Sequence, residues 1–440
     1  MSDQSHLLLD NQNANSLKPR IAILHYTASP VIGGVEAVMA EHARLFVGAG
    51  CPTAVVVGRG GSSGLPDNVM VRRIPEIDSE HPENLVIAAA LDNSEMPPTF
   101  FALRDRIAAS LAEALADADI VMAHNVLTMH FNLPLVAALH DLLDRGAVRN
   151  LVAWCHDISR YVKPSSGAVQ RSGYPWDLFR RYRPDLSYVA VSAQRQRLLA
   201  DVIKCPPERI ACIPNGVDHA NLLGLSEVGR HLVEEFNLLE ADLVLLMPIR
   251  ITRAKNIEFA LRVTAAIKAG GLRPRLVVTG PPDPHSPEIG TYFDELCALR
   301  RALDLQEEAV FIYQGTTRFP PPFEIASSIV AELYRAADLV LLPSHREGFG
   351  MPVLEGGLAD KPVFATAVPI VEEIGADCVS LIQPDEPPES VAAHIRDWAE
   401  RDASHRLRRR VRQAYTWPAI FARSIEPLIT GLTSPRGRST

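Results

Sequence analysis

The sequence is short of several features that would place a protein in a specialised class. Its six cysteines are scattered over 440 residues and form no Cys-x-x-Cys pair, so it indicates neither a zinc site nor a disulfide framework. No run approaches the roughly 20 apolar residues that a membrane-spanning helix needs. Acidic residues outnumber basic ones, and a formal net charge of -8 argues against nucleic acid as a partner. A globular protein of a reducing compartment is expected.

The chain also lacks a secretion signal. Its start, "MSDQSHLLLDNQNANSLKPR", has neither a basic beginning nor a long apolar stretch. We expect residues 1–19 to be a disordered leader on a cytoplasmic protein. The arginines of "HRLRRRVRQ" (405–413) predict a solvated helix face. That stretch and "LFRRYRP" (178–184) are where a weak peripheral contact with the inner face of a membrane would occur.

Short runs rich in Val, Ile and Leu recur along the chain with helical stretches between them. This pattern is typical of a parallel sheet buried on both faces. The runs are "RIAILHY", "PTAVVVG", "DIVMAHN", "NLVAWCH", "SYVAVS" and "RIACIPN", then "LVLLMPIR", "RLVVTG", "VFIYQG", "DLVLLPS", "PVFATA" and "VSLIQ". Twelve strands are too many for one comfortable open sheet. The sequence therefore predicts an α/β fold with two Rossmann-like, doubly wound parallel-sheet domains.

The domain boundary is predicted after "IPNGVD" (213–218), where the series of strands restarts. The first domain would then span 20–218 and the second 219–412. The final stretch, 413–440, has apolar residues at helical spacing after the second sheet is complete. We expect it to form a helix that crosses back to the first domain and ends in a frayed tail.

The most unusual stretch is "HREGFGMPVLE" (345–355), which directly follows a strand-like run. Gly348, Gly350 and Pro352 make an unbroken helix improbable. Proline fits best at the start of a helix, so we predict a strand over 338–343, a tight glycine loop and a helix from about Pro352.

Two glutamates then fall at the carboxyl end of a strand, Glu347 in the loop and Glu355 near the first helical turn. The backbone N–H groups of Phe349, Gly350 and Met351 would point outward with the positive end of the helix dipole. This arrangement suits an anion flanked by hydroxyls, as in a phosphorylated sugar. An ordinary helix start, with Glu355 stabilised by about 0.3 to 1 kcal/mol, is the alternative. It leaves the glycine loop unexplained.

Two other strand ends in the first half carry candidate residues. Gly33 and Gly34 precede a helix and would let a ligand approach the backbone closely, although a plain helix-entry turn explains them equally well. His156 and Asp157 end a strand; histidine can donate to a substrate hydroxyl or transfer protons. A local structural hydrogen bond is the alternative for this pair.

Arg250 and Lys255 lie in the connection from strand to helix that opens the second half. Two cations there can clamp a diphosphate, the arginine with its planar fork and the lysine as a point charge. An exposed loop with solvated charges is the alternative, and we prefer it for Arg253, which lies between them.

Together these pieces resemble the family-four retaining glycosyltransferases of GT-B fold. The resemblance extends from "IAILHYTASPVIGGVE" through "IPNGVD" to the E-x7-E motif in "EGFGMPVLEGG" and the Trp417 segment. Asn256, where the family has glycine, and "TGPPDPH", which lacks a second glycine, depart from the family pattern. The departures concern how the nucleotide is placed.

The resemblance implies roles for the matched positions. The glycine pair and the two cations would contact the donor diphosphate, Glu347 would bind sugar hydroxyls, Glu355 would hold the ribose, and His156 would lie beside the transferred sugar. The implied catalytic residues are His156, Glu347, Arg250 and Lys255. The implied donor-binding residues are Gly33, Gly34, Arg250, Lys255, Glu347, Gly348, Phe349, Gly350, Met351 and Glu355.

The implied reaction moves a hexose from a nucleoside-diphosphate sugar, UDP-glucose or GDP-mannose, to a hydroxyl of a glycan, a lipid-linked sugar or a small polar molecule. Configuration would be retained, without a metal or a cofactor beyond the donor substrate. A nucleotide-sugar epimerase of the same architecture and a noncatalytic sugar-binding protein are the alternatives.

Overall fold

The computed structural model describes residues 18–163, 170–285 and 289–434. Most of the predicted leader and the end of the predicted tail lie outside the described residues. The described chain divides into two compact units. The first unit runs to Gly216 and resumes at Trp417, and the second is Val217–Thr416.

The first unit is built on a seven-stranded parallel sheet with the order β3-β2-β1-β4-β5-β6-β7. Its strands are β1 (Ile21–Leu24), β2 (Thr53–Val57), β3 (Met70–Arg73), β4 (Ile120–His124), β5 (Leu151–Cys155), β6 (Ser187–Ala190) and β7 (Ile210–Cys212). Its helices are α1 (Gly34–Gly48), α2 (Pro82–Asp92), α3 (Pro98–Ala114), α4 (Leu133–Asp144), α5 (Ala193–Ile203) and, at its C-terminal end, α15 (Trp417–Ile420) and α16 (Glu426–Thr433).

The second unit has a six-stranded sheet with the order β10-β9-β8-β11-β12-β13, again parallel throughout. Its strands are β8 (Leu243–Met247), β9 (Pro274–Val278), β10 (Ala309–Phe311), β11 (Leu339–Leu342), β12 (Val363–Thr366) and β13 (Ser380–Ile382). Its helices are α6 (His219–Leu222), α7 (Glu227–Glu235), α8 (Ile257–Ala269), α9 (Ile289–Ala302), α10 (Ser327–Ala336), α11 (Met351–Leu358), α12 (Pro369–Gly375), α13 (Pro388–Arg401) and α14 (Ala403–Ala414). The predicted fold class is confirmed.

The central strands are buried on both faces, which is why they read as continuous apolar runs. In β1, Ile21 and Ile23 join the core on one face of the first sheet, while Ala22 and Leu24 join the core on the other. This alternation follows from the two-residue period of a strand. The helices that cover both faces therefore enclose every side chain of β1.

Strand β3 is the one strand of the described chain that the sequence analysis missed. Its four side chains are exposed or only partly buried, and its sequence is "MVRR". Since it lies at the edge of the first sheet and needs only one neighbour, it carries none of the apolar signal of the central strands.

The prediction that residues 405–413 form a solvated face is wrong for one side of α14. Arg412 is buried and donates from both terminal nitrogens to the Asp338 carboxylate, at 3.0 and 2.8 Å. Arg409 contacts Asp242 at 2.8 Å. Asp338 immediately precedes β11 and accepts the backbone N–H of Val244 in β8, and Asp242 immediately precedes β8 and accepts that of Arg273, just before β9. The arginines thus neutralise carboxylates that accept backbone hydrogen bonds at the amino ends of the two central strands.

One arginine of the stretch 178–184, the other candidate for a membrane contact, is likewise buried in ion pairs. Arg183 is buried and forms ion pairs with Asp144 and Asp185 at 2.7 and 2.6 Å. Its guanidinium is committed to the fold rather than offered to a surface. Within the described residues, no helix combines the length and the apolar character needed to cross a bilayer.

The segment from Trp417 packs into the first unit. Its apolar side chains Ile420, Ile425 and Ile429 are buried in the same core as Phe46 of α1. The Trp417 ring lies edge-on to the His42 ring at 5.4 Å and covers Gly216 so closely that a Cβ there would be 2.5 Å from a ring carbon. A side chain at position 216 would therefore displace the tryptophan.

We predict that Gly216→Ala lowers the melting temperature of the first unit, because the added methyl overlaps the Trp417 ring. Overpacking of this kind costs about 1 to 3 kcal/mol. Differential scanning calorimetry measures it. The matched control is Gly431→Ala in α16, where a Cβ meets nothing within 4 Å and alanine favours the helix. An equal loss in both variants would contradict the steric explanation.

Candidate functional site

In each sheet the strand order reverses at one place, between β1 and β4 in the first unit and between β8 and β11 in the second. The loops that leave the carboxyl ends of these strands diverge there and open a crevice, where open α/β sheets bind ligands. Gly33 follows β1, Arg250 and Lys255 follow β8, and Glu347 follows β11. His156 follows β5, the neighbour of β4. The predicted site residues thus fall at or beside the two reversals.

The loops after β8 and β11 are held together in the second unit. The backbone N–H of His345 donates to the carbonyl of Ala254 at 2.9 Å. One residue further along the first loop, the Lys255 ammonium donates to both carboxylate oxygens of Glu347, each at 2.7 Å. The structure therefore brings the predicted diphosphate cation and the predicted sugar carboxylate into direct contact.

This ion pair is nearly enclosed. The side chain of Glu347 is 4% exposed and that of Lys255 is 21% exposed. Burying a carboxylate without a partner is expensive, and the lysine offsets that cost for Glu347. The pair does not exhaust either group, since an ammonium has three donors and a carboxylate about four acceptor positions. The ammonium can still donate to hydroxyl or phosphate oxygens, and the carboxylate can still accept from hydroxyl groups.

The glycine loop of 345–355 has the predicted form. The helix begins at Met351, one residue before Pro352, and Gly350 precedes it with φ of 77°. This left-handed backbone suits glycine, and a Cβ at Gly350 would also lie 3.0 Å from the Ile374 side chain. Gly348 has open space around it.

The side chains of Phe349 and Met351 on either side of Gly350 are exposed, at 55% and 52%. Their bulk is therefore not needed to fill the core. The backbone contacts assigned to Gly348, Phe349, Gly350 and Met351 stay predictions.

A cavity of about 640 Å³ lies in the second unit beside this loop, and both Arg250 and Glu355 line it. The Tyr334 hydroxyl donates to the Glu355 carboxylate at 2.7 Å. Among the described residues, the Arg250 side chain makes no hydrogen bond or ion pair. Lys255 and Glu347 are not among the residues that line this cavity. The predicted donor-binding residues of the second unit thus fall into two groups. Lys255 and Glu347 form an enclosed ion pair, and Arg250 and Glu355 line an open cavity.

Of the residues that line the cavity, sequence reasoning singled out only Arg250 and Glu355, and two of those that it missed bear on the shape and chemistry of the cavity. Gly280 is the second residue after β9, and a Cβ there would lie 2.3 Å from the Ile249 carbonyl, so glycine lets the loops after β8 and β9 approach each other. The glycine of "VVTG" was the available signal. Tyr334 lies in α10, ahead of β11, and no spacing in the sequence links it to Glu355.

The glycine pair of the first unit opens α1, as predicted, with Gly33 at the N-cap and Gly34 as the first helical residue. The space beside Gly33 is filled, because a Cβ there would lie 2.1 Å from a carboxylate oxygen of Glu36. Glu36 also accepts a hydrogen bond from the Thr27 hydroxyl. A carboxylate thus already occupies part of this helix N-terminus, and diphosphate binding by Gly33 and Gly34 stays a prediction.

His156 does not pair with Asp157, the local alternative raised by the sequence. Asp157 instead forms an ion pair with Arg195 at 3.3 Å. The Nε2 atom of His156 lies 3.0 Å from Nδ1 of His124, the last residue of β4. The side-chain oxygen of Asn125 accepts the backbone N–H groups of both His156 and Asp157, at 2.8 and 3.0 Å. The end of β4 thus holds the loop that carries His156.

Histidine rings cluster in this part of the first unit, and burial keeps them neutral. Burial, followed by the nearby His25, lowers the pKa of His156 to about 4. Burial, with a smaller contribution from His156, lowers the pKa of His42 to about 3. The pKa of His124 is well below its usual range, chiefly because it is buried. A neutral His156 can donate or accept one hydrogen bond at each ring nitrogen at neutral pH.

The neutral histidines make the first unit sensitive to acid. A histidine of low pKa in the folded state and about 6.5 in the unfolded state lets the unfolded chain bind more protons below pH 6.5, so stability falls as pH falls. Both ring nitrogens of His42 are buried without a hydrogen-bond partner. Leucine can therefore replace this ring without breaking a hydrogen bond.

We predict that His42→Leu removes about 2 to 3 kcal/mol of the stability that the protein loses between about pH 7.5 and pH 4.5. Urea unfolding followed by tryptophan fluorescence measures the difference. His394→Gln, which changes an exposed histidine of the second unit, is the control and should keep the wild-type pH dependence. If His42→Leu also keeps it, His42 does not stay neutral in the folded state.

Two doubly wound parallel sheets, the second with basic residues and a glutamate loop at its strand reversal, are the architecture of GT-B glycosyltransferases. Residues 32–221 match the family model described as "Glycosyltransferase Family 4". Residues 231–416 match the model described as "Glycosyl transferases group 1". The two matches together span most of the chain, which belongs to the glycosyltransferase family that these models describe.

Curated relatives carry related names. A D-inositol 3-phosphate glycosyltransferase of Kineococcus radiotolerans is 32% identical over 54% of this chain and 55% of its own length. A protein of the same kind from Catenulispora acidiphila is 27% identical over 79% of each chain. A mannosylglucosylglycerate synthase of Thermotoga maritima is 27% identical over 58% of each chain. The matched part spans about half the length of the first relatives.

Among solved structures, a glycosyltransferase from Rickettsia africae aligns over 95% of this chain and 100% of its own. The identity is 17% and the TM-score 0.37, a likeness too loose to bear on ligands. Within the described residues, no three His, Cys, Asp or Glu side chains are grouped so that they could hold a metal ion.

Proposed function

We propose that this protein transfers a hexosyl group from a nucleoside-diphosphate sugar to a hydroxyl acceptor. The observation that carries the proposal is the enclosed contact between Lys255 and Glu347 at the strand reversal of the second unit. The same unit has a cavity lined by Glu355 and by Arg250, whose guanidinium has no partner among the described residues. A buried cation and carboxylate side by side suit a ligand with phosphate on one side and hydroxyls on the other. The family to which the chain belongs supports the same reaction class.

The cavity in the second unit would take the nucleoside. Glu355 has one oxygen bonded to Tyr334 and is otherwise open to accept the ribose hydroxyls. Arg250 has no partner within the described part of the chain, so its planar fork is available to a diphosphate oxygen. Lys255 would add the second positive charge from the adjoining ion pair.

The chemical step places negative charge on the leaving diphosphate. The bond between the anomeric carbon and the diphosphate oxygen breaks, and its electron pair goes to that oxygen. The acceptor hydroxyl oxygen bonds to the anomeric carbon on the same face, and its proton passes to the leaving phosphate. Arg250 and Lys255 would stabilise the developing charge because they are already in place when it appears. No metal is invoked, since both cations are protein side chains.

Retention of configuration by this route is preferred to a covalent intermediate on Glu347. A glycosidase-type mechanism needs a free carboxylate nucleophile about 5 to 5.5 Å from a second carboxyl group. Both oxygens of Glu347 are engaged by the Lys255 ammonium, which makes the carboxylate a poor nucleophile. A hydrogen-bonding role toward the sugar hydroxyls fits the pair better.

The acceptor is proposed as a small polar molecule. The names of the relatives refer to inositol 3-phosphate and to a mannosylglucosylglycerate, both compact and rich in hydroxyl groups. The proposed donor is UDP-glucose or GDP-mannose. A wider form of the proposal places the transfer reaction at the inner face of a membrane, with a lipid-linked sugar as the acceptor.

We predict that one of UDP, GDP and ADP raises the melting temperature by about 5 to 10 °C at a hundredfold excess over its dissociation constant. Differential scanning fluorimetry with the three nucleotides and their sugars measures this. In Glu355→Ala the shift should shrink, since the ribose loses its acceptor. Equal, small shifts for all three nucleotides would contradict a nucleoside site in this cavity.

We predict that Glu347→Gln and Lys255→Gln each lower the rate of nucleoside-diphosphate release by at least about a hundredfold, because each variant breaks the ion pair and removes a charge that faces the donor. A coupled assay with the stabilising donor and an inositol phosphate acceptor measures the rate. Thermal unfolding shows whether each variant is folded.

The matched control is Arg253→Gln, in the same loop. Arg253 is exposed, forms an ion pair with Glu295 and lies over the Tyr292 ring. Its replacement should leave the rate within about twofold, as for other exposed ion pairs. Near-normal turnover in folded Glu347→Gln or Lys255→Gln would remove that residue from the proposed site. Conversion of the donor without acceptor would instead indicate an epimerase.

A further inference from the structure

Four histidines of the first unit meet at the carboxyl end of β4, and the sequence analysis assigned a role to only one of them, His156. His124 is completely buried, and its ring lies 5.1 Å from that of His42 and 5.3 Å from that of His156. His25 donates from Nδ1 to the carbonyl of His124 at 2.7 Å. The hydrogen bond from His25 therefore holds the backbone of His124, and the rings of His42 and His156 pack against its side chain.

The contact between His124 and His156 must contain one hydrogen atom. Nδ1 of His124 and Nε2 of His156 are 3.0 Å apart, and two bare lone pairs would repel each other. Burial lowers the pKa of both rings, so both are neutral near pH 7, and each carries a single N–H. Only two arrangements remain, and they differ in which ring donates.

The far side of His124 distinguishes these arrangements. Its Nε2 atom is buried and has no hydrogen-bond partner among the described residues. If His156 donated, His124 would have to carry its hydrogen on this Nε2, as an orphaned N–H in the core. If His124 donates, Nε2 is a bare acceptor. Orphaned buried N–H groups are rarer in proteins than unsatisfied acceptors, so the second arrangement is favoured.

We propose that His124 is a positioning residue that donates to Nε2 of His156 and thereby holds His156 as the Nδ1–H tautomer. His156 then presents a hydrogen-bond donor, not a base, to its ligand. Nδ1 of His156 has no partner among the described residues and, unlike Nε2 of His124, is not among the fully buried unpaired atoms. A hydroxyl or phosphate oxygen of the substrate is the acceptor that this donor fits; this last point rests on the proposed function.

Asn125 supports the same geometry through the backbone. Its φ of 57° turns the chain sharply after β4 and aims its side-chain oxygen at the N–H groups of the loop that carries His156. Two consecutive residues at the end of β4 thus control His156, Asn125 its position and His124 its tautomer.

Nitrogen-15 NMR of the whole chain with labelled histidine tests the tautomer directly, without substrate, near pH 7. Spectra of His156→Gln identify the His156 signals among those of the 14 histidines. We expect Nδ1 of His156 to be protonated and Nε2 to be bare. A protonated Nε2 in the wild-type protein overturns the proposal, whatever the variants do.

The matched variants are His124→Asn and His124→Leu, which have similar shapes and differ in the side-chain N–H. Asparagine can place a donor near the position of Nδ1, so His124→Asn should keep the His156 tautomer. His124→Leu should lose it and lower kcat about 10- to 100-fold with a smaller change in KM, a loss of the size seen when the residue that orients a histidine of a metal site is removed. An unchanged tautomer in folded His124→Leu overturns the proposal.

The two proposals fail separately. If the wild-type protein releases no nucleoside diphosphate but His156 is the Nδ1–H tautomer, the proposed function is wrong and the role of His124 stands. If the protein is active and His156 carries its hydrogen on Nε2, the reverse holds.

Discussion

The Glu347 side chain is 4% exposed, and the Lys255 ammonium donates to both of its carboxylate oxygens. The lysine thereby offsets the cost of burying this carboxylate. This contact constrains the loops at the carboxyl ends of β8 and β11 in the second sheet. The loop after β8 must deliver a lysine, the loop after β11 must deliver a glutamate, and the His345–Ala254 hydrogen bond must hold the two loops at the right separation. The strand order makes this possible, since β8 and β11 are neighbours although Met247, the last residue of β8, and Leu339, the first residue of β11, are 92 positions apart in the sequence. Any ligand here meets a charge pair that is organised before it arrives.

The first unit manages buried polarity in another way. It encloses His42 and His124 as neutral rings, packed against Trp154 and, for His42, against Trp417. Neutral rings need no counter-charge, and they form a dry, aromatic support behind His156. Because each ring binds fewer protons in the folded than in the unfolded state, the unit loses stability in acid. The second unit instead buries ion pairs, such as Arg412 with Asp338, in which each charge lies against a partner of opposite sign.

The sequence predicts the central strands and the glycine loop well, because both depend on local chemistry. Strands enclosed by helices on both faces need continuous apolar runs, and the left-handed residue before α11 needs glycine at position 350. Edge strand β3 was missed because its side chains are not enclosed. The arginines of α14 were predicted to be solvated because the sequence of that helix does not show that a buried carboxylate, Asp338, lies against it. Contacts such as Tyr334 with Glu355, or His124 with His156, join elements whose spacing in the sequence carries no information about their distance. Candidate residues could thus be named from the sequence, whereas their pairing could not.

The covering of Gly216 by Trp417 also bears on how the protein is made. The whole second unit is synthesised between these two residues, so the ribosome releases the strands of the first sheet long before the helices that complete its core. Until α15 and α16 emerge, the surface of α1 around His42 and Phe46 lacks part of its cover, whereas the second unit is continuous in sequence and can close as soon as it is made. The half of the protein that is begun first is therefore the half that is finished last.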